Sequence, residues 1–145
     1  IGNPRIMKYM IRRLFGWVGA WLPAFLLMGV IFMLSSRQRI SVSDEMVVNF
    51  SFFKTLHILE YALLTFFMLR GLFFTTKMHI KKMIVLAGLL SVLYGITDEF
   101  HQTFVPTRTG QPRDVLIDLI GIIFVMIFLY KKRHHIKKLL SYTTF

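Results

Sequence analysis

The sequence predicts an all-α fold, a polytopic transmembrane helical bundle of four spans with both termini in the cytoplasm. Three observations predict it. First, four apolar segments, Leu14–Leu34, Leu56–Phe74, Met83–Phe100 and Val115–Tyr130, divide the 145 residues. Second, the composition is 55% hydrophobic and only 17% charged, with a mean hydropathy of +0.60; soluble domains carry charge on about a quarter of their residues. Third, the charges are sorted. Acidic residues cluster toward one end of the apolar segments and Lys and Arg toward the other, and an ionisable group inside a span is costly enough to be read as functional.

The chain reads as one domain, residues 1–145, with a basic tail over 131–145 and connections too short to hold a soluble module. It has no Cys, which excludes disulfides, thiolate chemistry and Cys-ligated zinc. The formal charge of +11 flanks apolar runs. That placement suits membrane lipids with anionic headgroups and argues against nucleic acid, which needs a basic soluble surface.

The first segment, LFGWVGAWLPAFLLMGVIFML, has no charge and is long enough to cross the hydrocarbon. Trp17 suits an interface, and Pro23 bends the helix or leaves a backbone group to be satisfied by a neighbour. The bases Arg5, Lys8, Arg12 and Arg13 precede it as in a signal peptide. The apolar run is too long for that, however, and no small-x-small site follows at Ser35-Ser36-Arg37, so an uncleaved span is expected.

The second segment lies in FFKTLHILEYALLTFFMLRG. Lys54, His57 and Tyr61 share a helix face, with Glu60 close to His57. Lys54 and Arg70 can snorkel to opposite interfaces, and an imidazole titrates near neutral pH.

The third segment ends in LLSVLYGITDEFHQTFVPTRTGQPRD. Gly88 and Gly95 allow close helix approach. Tyr94, Asp98, His101 and Gln102 share one broad face, while Glu99 points to another helix or to the loop base. TFVPTRTGQP reads as a turn or a short re-entrant loop. Its Arg108 and the following Arg113 suit a phosphate or carboxylate, or pair with Asp98, Glu99 or Asp114.

The fourth segment follows Pro112. Asp114 suits the first helical turn. Asp118 lies one turn deeper on the same face, with Gly121 below it, and its candidate partners are Lys54, His57, His101 and Arg113. The tail KKRHHIKKLLSYTTF is basic with an apolar side, expected as a surface-lying helix or a stop-transfer tail. Its His134 and His135 are read as incidental.

Topology follows from the bases. Twelve lie on one side: Arg5, Lys8, Arg12, Arg13, Lys77, Lys81, Lys82, Lys131, Lys132, Arg133, Lys137 and Lys138. Five lie on the other: Arg37, Arg39, Lys54, Arg108 and Arg113. The positive-inside rule makes the first side cytoplasmic. All seven acids, Asp44, Glu45, Glu60, Asp98, Glu99, Asp114 and Asp118, then fall toward the outside, so the polar site is expected to open outward.

Four blocks, Ser35-Ser36-Arg37, KTLHILEYALL from Lys54, YGITDEFHQTFVPTRTGQPRD from Tyr94 and DLIG from Asp118, resemble the VanZ-like family over nearly the whole chain. The third block is the specific part. By this resemblance Lys54, His57, Glu60, Tyr61, Asp98, Glu99, His101, Gln102, Arg108, Asp114 and Gly121 match characteristic positions. The family pattern usually has Asn at the position of Asp118, and Pro or Gly at that of Thr107. The resemblance implies an integral membrane protein of four or five helices, in a family whose namesake is associated with low-level teicoplanin resistance. It supplies a location in the cell membrane and a context, not a reaction.

The candidate site follows. His57, Glu60, Asp98, Glu99, His101 and Asp118 offer carboxylate–imidazole pairs for general acid–base chemistry. Lys54, Tyr61, Gln102, Arg108, Arg113 and Asp114 are the candidate ligand-binding residues, the bases suited to a lipid pyrophosphate or another anionic headgroup. His57, His101 and a carboxylate could bind a divalent ion, but HxxE and DExHQ are no zinc signature, and no metal or cofactor is assigned. The leading expectation is a cell-envelope protein that binds or modifies an anionic lipid-linked or cell-wall ligand and influences glycopeptide susceptibility, with catalysis left open. The alternatives are a structural or regulatory membrane subunit and a small transporter. Four helices without an inverted repeat weaken the last, an objection a homo-oligomer would relieve.

Overall fold

The structure is a computed structural model and describes residues 4–37, 45–108 and 110–142. Among them are five helices and no strand: α1 Pro4–Ser35, α2 Met46–Thr75, α3 Ile80–Gln102, α4 Pro112–Lys131 and α5 Arg133–Tyr142. The all-helical expectation holds. Arg39 and Asp44 lie outside the described residues, as do the side chains of Arg5, Lys8, Arg12 and Arg13.

Each helix outruns the apolar segment that announced it. Hydropathy marks only the stretch that would sit in hydrocarbon, while backbone hydrogen bonding continues through polar flanks. Thus α2 begins at Met46, ten residues before Leu56, and α1 at Pro4, where a proline costs no helical bond. Stretches of α1, α2 and α3, Gly16–Ser35, Val47–Thr75 and Ile80–Gln102, are long and apolar enough to cross a membrane. The 20-residue α4 falls outside that set, carrying Arg113, Asp114 and Asp118 in its first two turns.

The helices pack with α2 at the centre, against α1, α3 and α4. Leu64, Leu69, Ala87, Ile122 and Leu129 are fully buried at these contacts. The bundle also exposes large apolar side chains while burying several polar ones. Leu26 is 61% and Phe124 72% exposed, while Thr65, Ser91, Asp98, Gln102 and Asp118 are buried. Thr65 and Ser91 return their hydroxyls to their own helices, bonding the carbonyls of Tyr61 and Ala87 at 2.8 and 3.0 Å. Large apolar side chains on the outside, with polar groups held within, are what lipid as a solvent selects.

Pro23 is answered from α2. It has no N–H for the Gly19 carbonyl four residues back. Arg70 Nη1 donates to that oxygen at 2.9 Å and to the Ala20 carbonyl at 2.7 Å. One turn further along α2, the Trp21 indole lies on Gly71 and donates to Thr75 Oγ1 at 3.3 Å. Arg70 therefore supports the α1 backbone rather than reaching out as an interfacial anchor. The C-terminal tail forms α5, with Ile136 and Leu140 buried in the common core.

The Pro23–Arg70 pairing has a measurable signature. Arg70→Leu should destabilise the bundle by about 1 kcal/mol, the worth of a typical hydrogen bond. Pro23→Ala in that background should recover part of the loss, because the new N–H can bond Gly19 itself. A double-mutant cycle of reversible unfolding in detergent tests this, and strictly additive effects would refute the pairing.

Candidate functional site

The polar residues gather where α1 and α3 end and α2 and α4 begin. Two ladders of side chains set the register there. Positions 54, 57/58 and 61 follow one face of α2; positions 114, 118 and 121 follow one face of α4. Lys54 Nζ pairs with Asp114 Oδ2 at 2.5 Å, and His57 Nδ1 lies 3.3 Å from Asp118 Oδ1. One step deeper, Gly121 lies so close to the Ile58 carbonyl that any Cβ would collide with it. The two helices run parallel at this contact, and the missing side chain lets Asp118 reach His57. Gly95 does the same for α3: a Cβ there would stand 3.2 Å from the Tyr61 ring and 3.5 Å from Asp118 Oδ2.

A second set of contacts ties α1 and the 103–111 loop to α3. Ser35 Oγ donates to Asp98 Oδ2 at 2.9 Å, and Gln102 Nε2 donates to the same oxygen at 3.0 Å and to Glu99 Oε1 at 3.2 Å. The other Glu99 oxygen accepts the Gln111 backbone N–H at 3.0 Å, so Glu99 does turn to the loop base. His101 Nε2 is 3.0 Å from Ser36 Oγ, and its ring lies 4.4 Å from that of Phe32. Both histidine contacts are therefore with α1, away from the His57–Asp118 pair.

Arg108 is the clasp of this set. Its Nε donates to the Arg37 carbonyl at 2.8 Å, Nη2 to the Leu34 carbonyl at 3.0 Å and Nη1 to Gln102 Oε1 at 3.3 Å. The first two acceptors are carbonyls at and just past the C-terminal end of α1, where a cation is favoured. Beside it Thr107 has φ 69, a left-handed conformation a β-branched residue adopts at a cost of roughly 1–2 kcal/mol. Arg113, with a side chain 62% exposed, lies 3.7 Å from Asp114 Oδ1 at the rim. Glu60, half-buried, lies within electrostatic reach of His57, Asp98, Asp118 and Arg108.

The structure thus brings His57, Tyr61, Asp98, Asp114 and Asp118 into one cluster, with Lys54 and Arg113 at its edge and Glu60 beside it. Ser35 and Ser36 are partners that composition and spacing did not single out. Their signal in the sequence was the Ser35-Ser36-Arg37 block of the family resemblance, which named no partner for them. Among the described residues, the buried side-chain nitrogen and oxygen atoms without a hydrogen-bond partner are His57 Nδ1, Tyr61 OH, Asp98 Oδ1, Asp114 Oδ1 and both Asp118 oxygens. The His57–Asp118 approach is close enough for an ion pair but off the hydrogen-bonding direction. Every such atom belongs to this one site, where polar groups cost most when unanswered. No group of three or more His, Asp or Glu among the described residues is arranged to hold a metal ion. An imidazole against a carboxylate, with a phenol and a second carboxylate nearby, can bind donors and relay a proton.

Gly121→Ala should separate α4 from α2 at Ile58 and cost about 1–3 kcal/mol, as overpacking does. Gly29→Ala, where a Cβ meets nothing within 4 Å, should be close to neutral. Thermal unfolding of both variants in one detergent provides the comparison.

The sequence matches the family model described as VanZ/LLP1 over residues 20–137. No curated protein and no solved structure matches the chain significantly. The family match runs from the middle of α1 into α5 and contains every residue of the polar cluster. With its apolar helices it points to a membrane protein, and the chain belongs to the VanZ/LLP1 family.

Proposed function

We propose that this is a multi-pass cell-membrane protein of the envelope that holds an anionic lipid-linked or cell-wall ligand at an outward-facing polar site. In this reading α4 is the fourth span and both termini are cytoplasmic. The single observation that carries it is the concentration of unpartnered buried polar atoms at one end of an apolar bundle. A fold that needed only rigidity would satisfy those atoms internally. Lys54 and Arg113 at the rim suit the ligand's phosphate or carboxylate. The carboxylates, His57 and Tyr61 beneath them suit its hydroxyl or amide donors. An influence on glycopeptide susceptibility follows from the family context and belongs to the same proposal.

One observation favours a second reading, a structural subunit. Arg108, expected from sequence as an anion ligand, donates to α1 and to Gln102 and holds α1, α3 and the loop together. The two readings divide on variants. Arg108→Gln should lower detergent stability by about 1–3 kcal/mol, since two backbone carbonyls and the buried Gln102 lose their donor. Arg113→Gln should change stability by less than about 1 kcal/mol, as exposed ion pairs do, yet weaken binding of a lipid phosphate probe and any susceptibility phenotype. Asp118→Asn, which restores the residue usual in the family, should be tolerated in both respects. If Arg113→Gln and His57→Gln stay in the membrane with binding and phenotype intact, the ligand reading fails and the structural one stands.

Orientation is tested separately. The chain has no cysteine to remove. Pro106→Cys should react with an impermeant thiol reagent added outside intact cells, and Lys77→Cys only after the membrane is opened. The reverse pattern would turn the site to the cytoplasm.

A further inference from the structure

The opposite end of the bundle has the reverse imbalance of charge. No Asp or Glu occurs between Glu60 and Asp98 or after Asp118. The bases of residues 77–82 and 131–138 meet there, because Ile136 and Leu140 seat α5 in the same core as Met83 and Ile84 of α3. Every ion pair among the described residues lies at the other end. Two of these bases share one aromatic ring. Lys81 Nζ lies 5.6 Å and the Arg133 guanidinium carbon 4.8 Å from the centre of Tyr130, and Arg133 Nη1 also donates to the Tyr130 carbonyl at 2.8 Å. Lys81 comes from the start of α3 and Arg133 from the start of α5, so only the tertiary fold pairs them.

We propose that Lys81, Tyr130 and Arg133 form a binding site for the phosphate of an anionic phospholipid. Two cations held by one ring, with no acidic side chain at that end, call for an anion from outside the protein. The surface beside them says which kind. Tyr130 is half exposed, and Ile127 and Ile123 follow it on one face of α4, both more than 50% exposed. An aromatic residue at the edge of an apolar stripe is the usual marker of a headgroup boundary. Acyl chains lying on Ile123 and Ile127 would bring their phosphate to Tyr130. Arg133 offers a planar fork and Lys81 a point charge, and the ring fixes where both stand.

The test is native mass spectrometry of the full chain, released from detergent with phosphatidylglycerol or phosphatidylcholine. The expected result is preferential retention of phosphatidylglycerol. Lys81→Gln with Arg133→Gln should reduce that retention about tenfold. Lys77→Gln with Lys137→Gln removes the same charge from the same end and should reduce it about twofold or less. Tyr130→Leu keeps every charge and should still lose retention several-fold. Equal losses in the two double variants would mean diffuse attraction and overturn the site, as would unchanged retention in Tyr130→Leu or equal retention of both lipids by the unmodified chain.

Discussion

A carboxylate buried in an apolar bundle requires a donor, and the α2–α4 contact is built around that requirement. Asp114 and Asp118 enter on α4 and are met by Lys54 and His57 of α2. The meeting is possible only because Gly121 lets α4 lie against the Ile58 carbonyl. Association of helices in lipid gains little from apolar burial, since lipid tails are as apolar as leucine. Close packing at Gly121 and the polar pairs beside it therefore decide which helix faces go together. Once α2 and α4 are fixed, α3 has one place left, with Gly95 over Tyr61 and Asp118.

The two arginines within the bundle obey the same physics from the other side. Arg70 answers a carbonyl that Pro23 leaves without a donor, and Arg108 answers carbonyls at the end of α1. Arg70 makes no ion pair among the described residues. Backbone oxygens that water would otherwise satisfy are strong enough acceptors in an apolar setting to hold a guanidinium. Six buried polar atoms of the cluster, on His57, Tyr61, Asp98, Asp114 and Asp118, have no hydrogen-bond partner among the described residues. That contrast separates the groups of the polar end whose hydrogen bonds serve the scaffold from those the proposed ligand would use.

The charge distribution gives the molecule two unlike ends. One holds all the described acids, largely buried and incompletely paired; the other holds bases with no acids among them. Such a sorting is the pattern the positive-inside rule describes for membrane proteins. It also means that the two ends meet different chemistry. The acid-rich end carries buried polar groups and the other end exposed bases, the division on which both proposals above rest.

Much of this was legible from sequence, because the information is one-dimensional. Apolar length marks helices, the sorting of Lys and Arg marks ends, and spacing of three or four places Lys54, His57 and Tyr61, or Asp114 and Asp118, on single faces. Gly95 and Gly121 were visible as permissive positions. What no spacing could supply is which faces meet. Sequence left Asp118 with four candidate partners, and the register at Ile58 and Gly121 selected His57. It offered Arg108 an anion or a carboxylate, and could not foresee the backbone oxygens at the end of α1 that the fold brings to it. It marked Ser35 and Ser36 only as part of a resembling block and gave them no partner, because a hydroxyl's role shows only once an acid or imidazole from another helix stands beside it. The sequence by itself determined the helices, their apolar surfaces and the sorting of charge, since these are properties of single segments against solvent. Only the tertiary structure decided the hydrogen-bond partners, because those depend on distances between segments that are far apart along the chain.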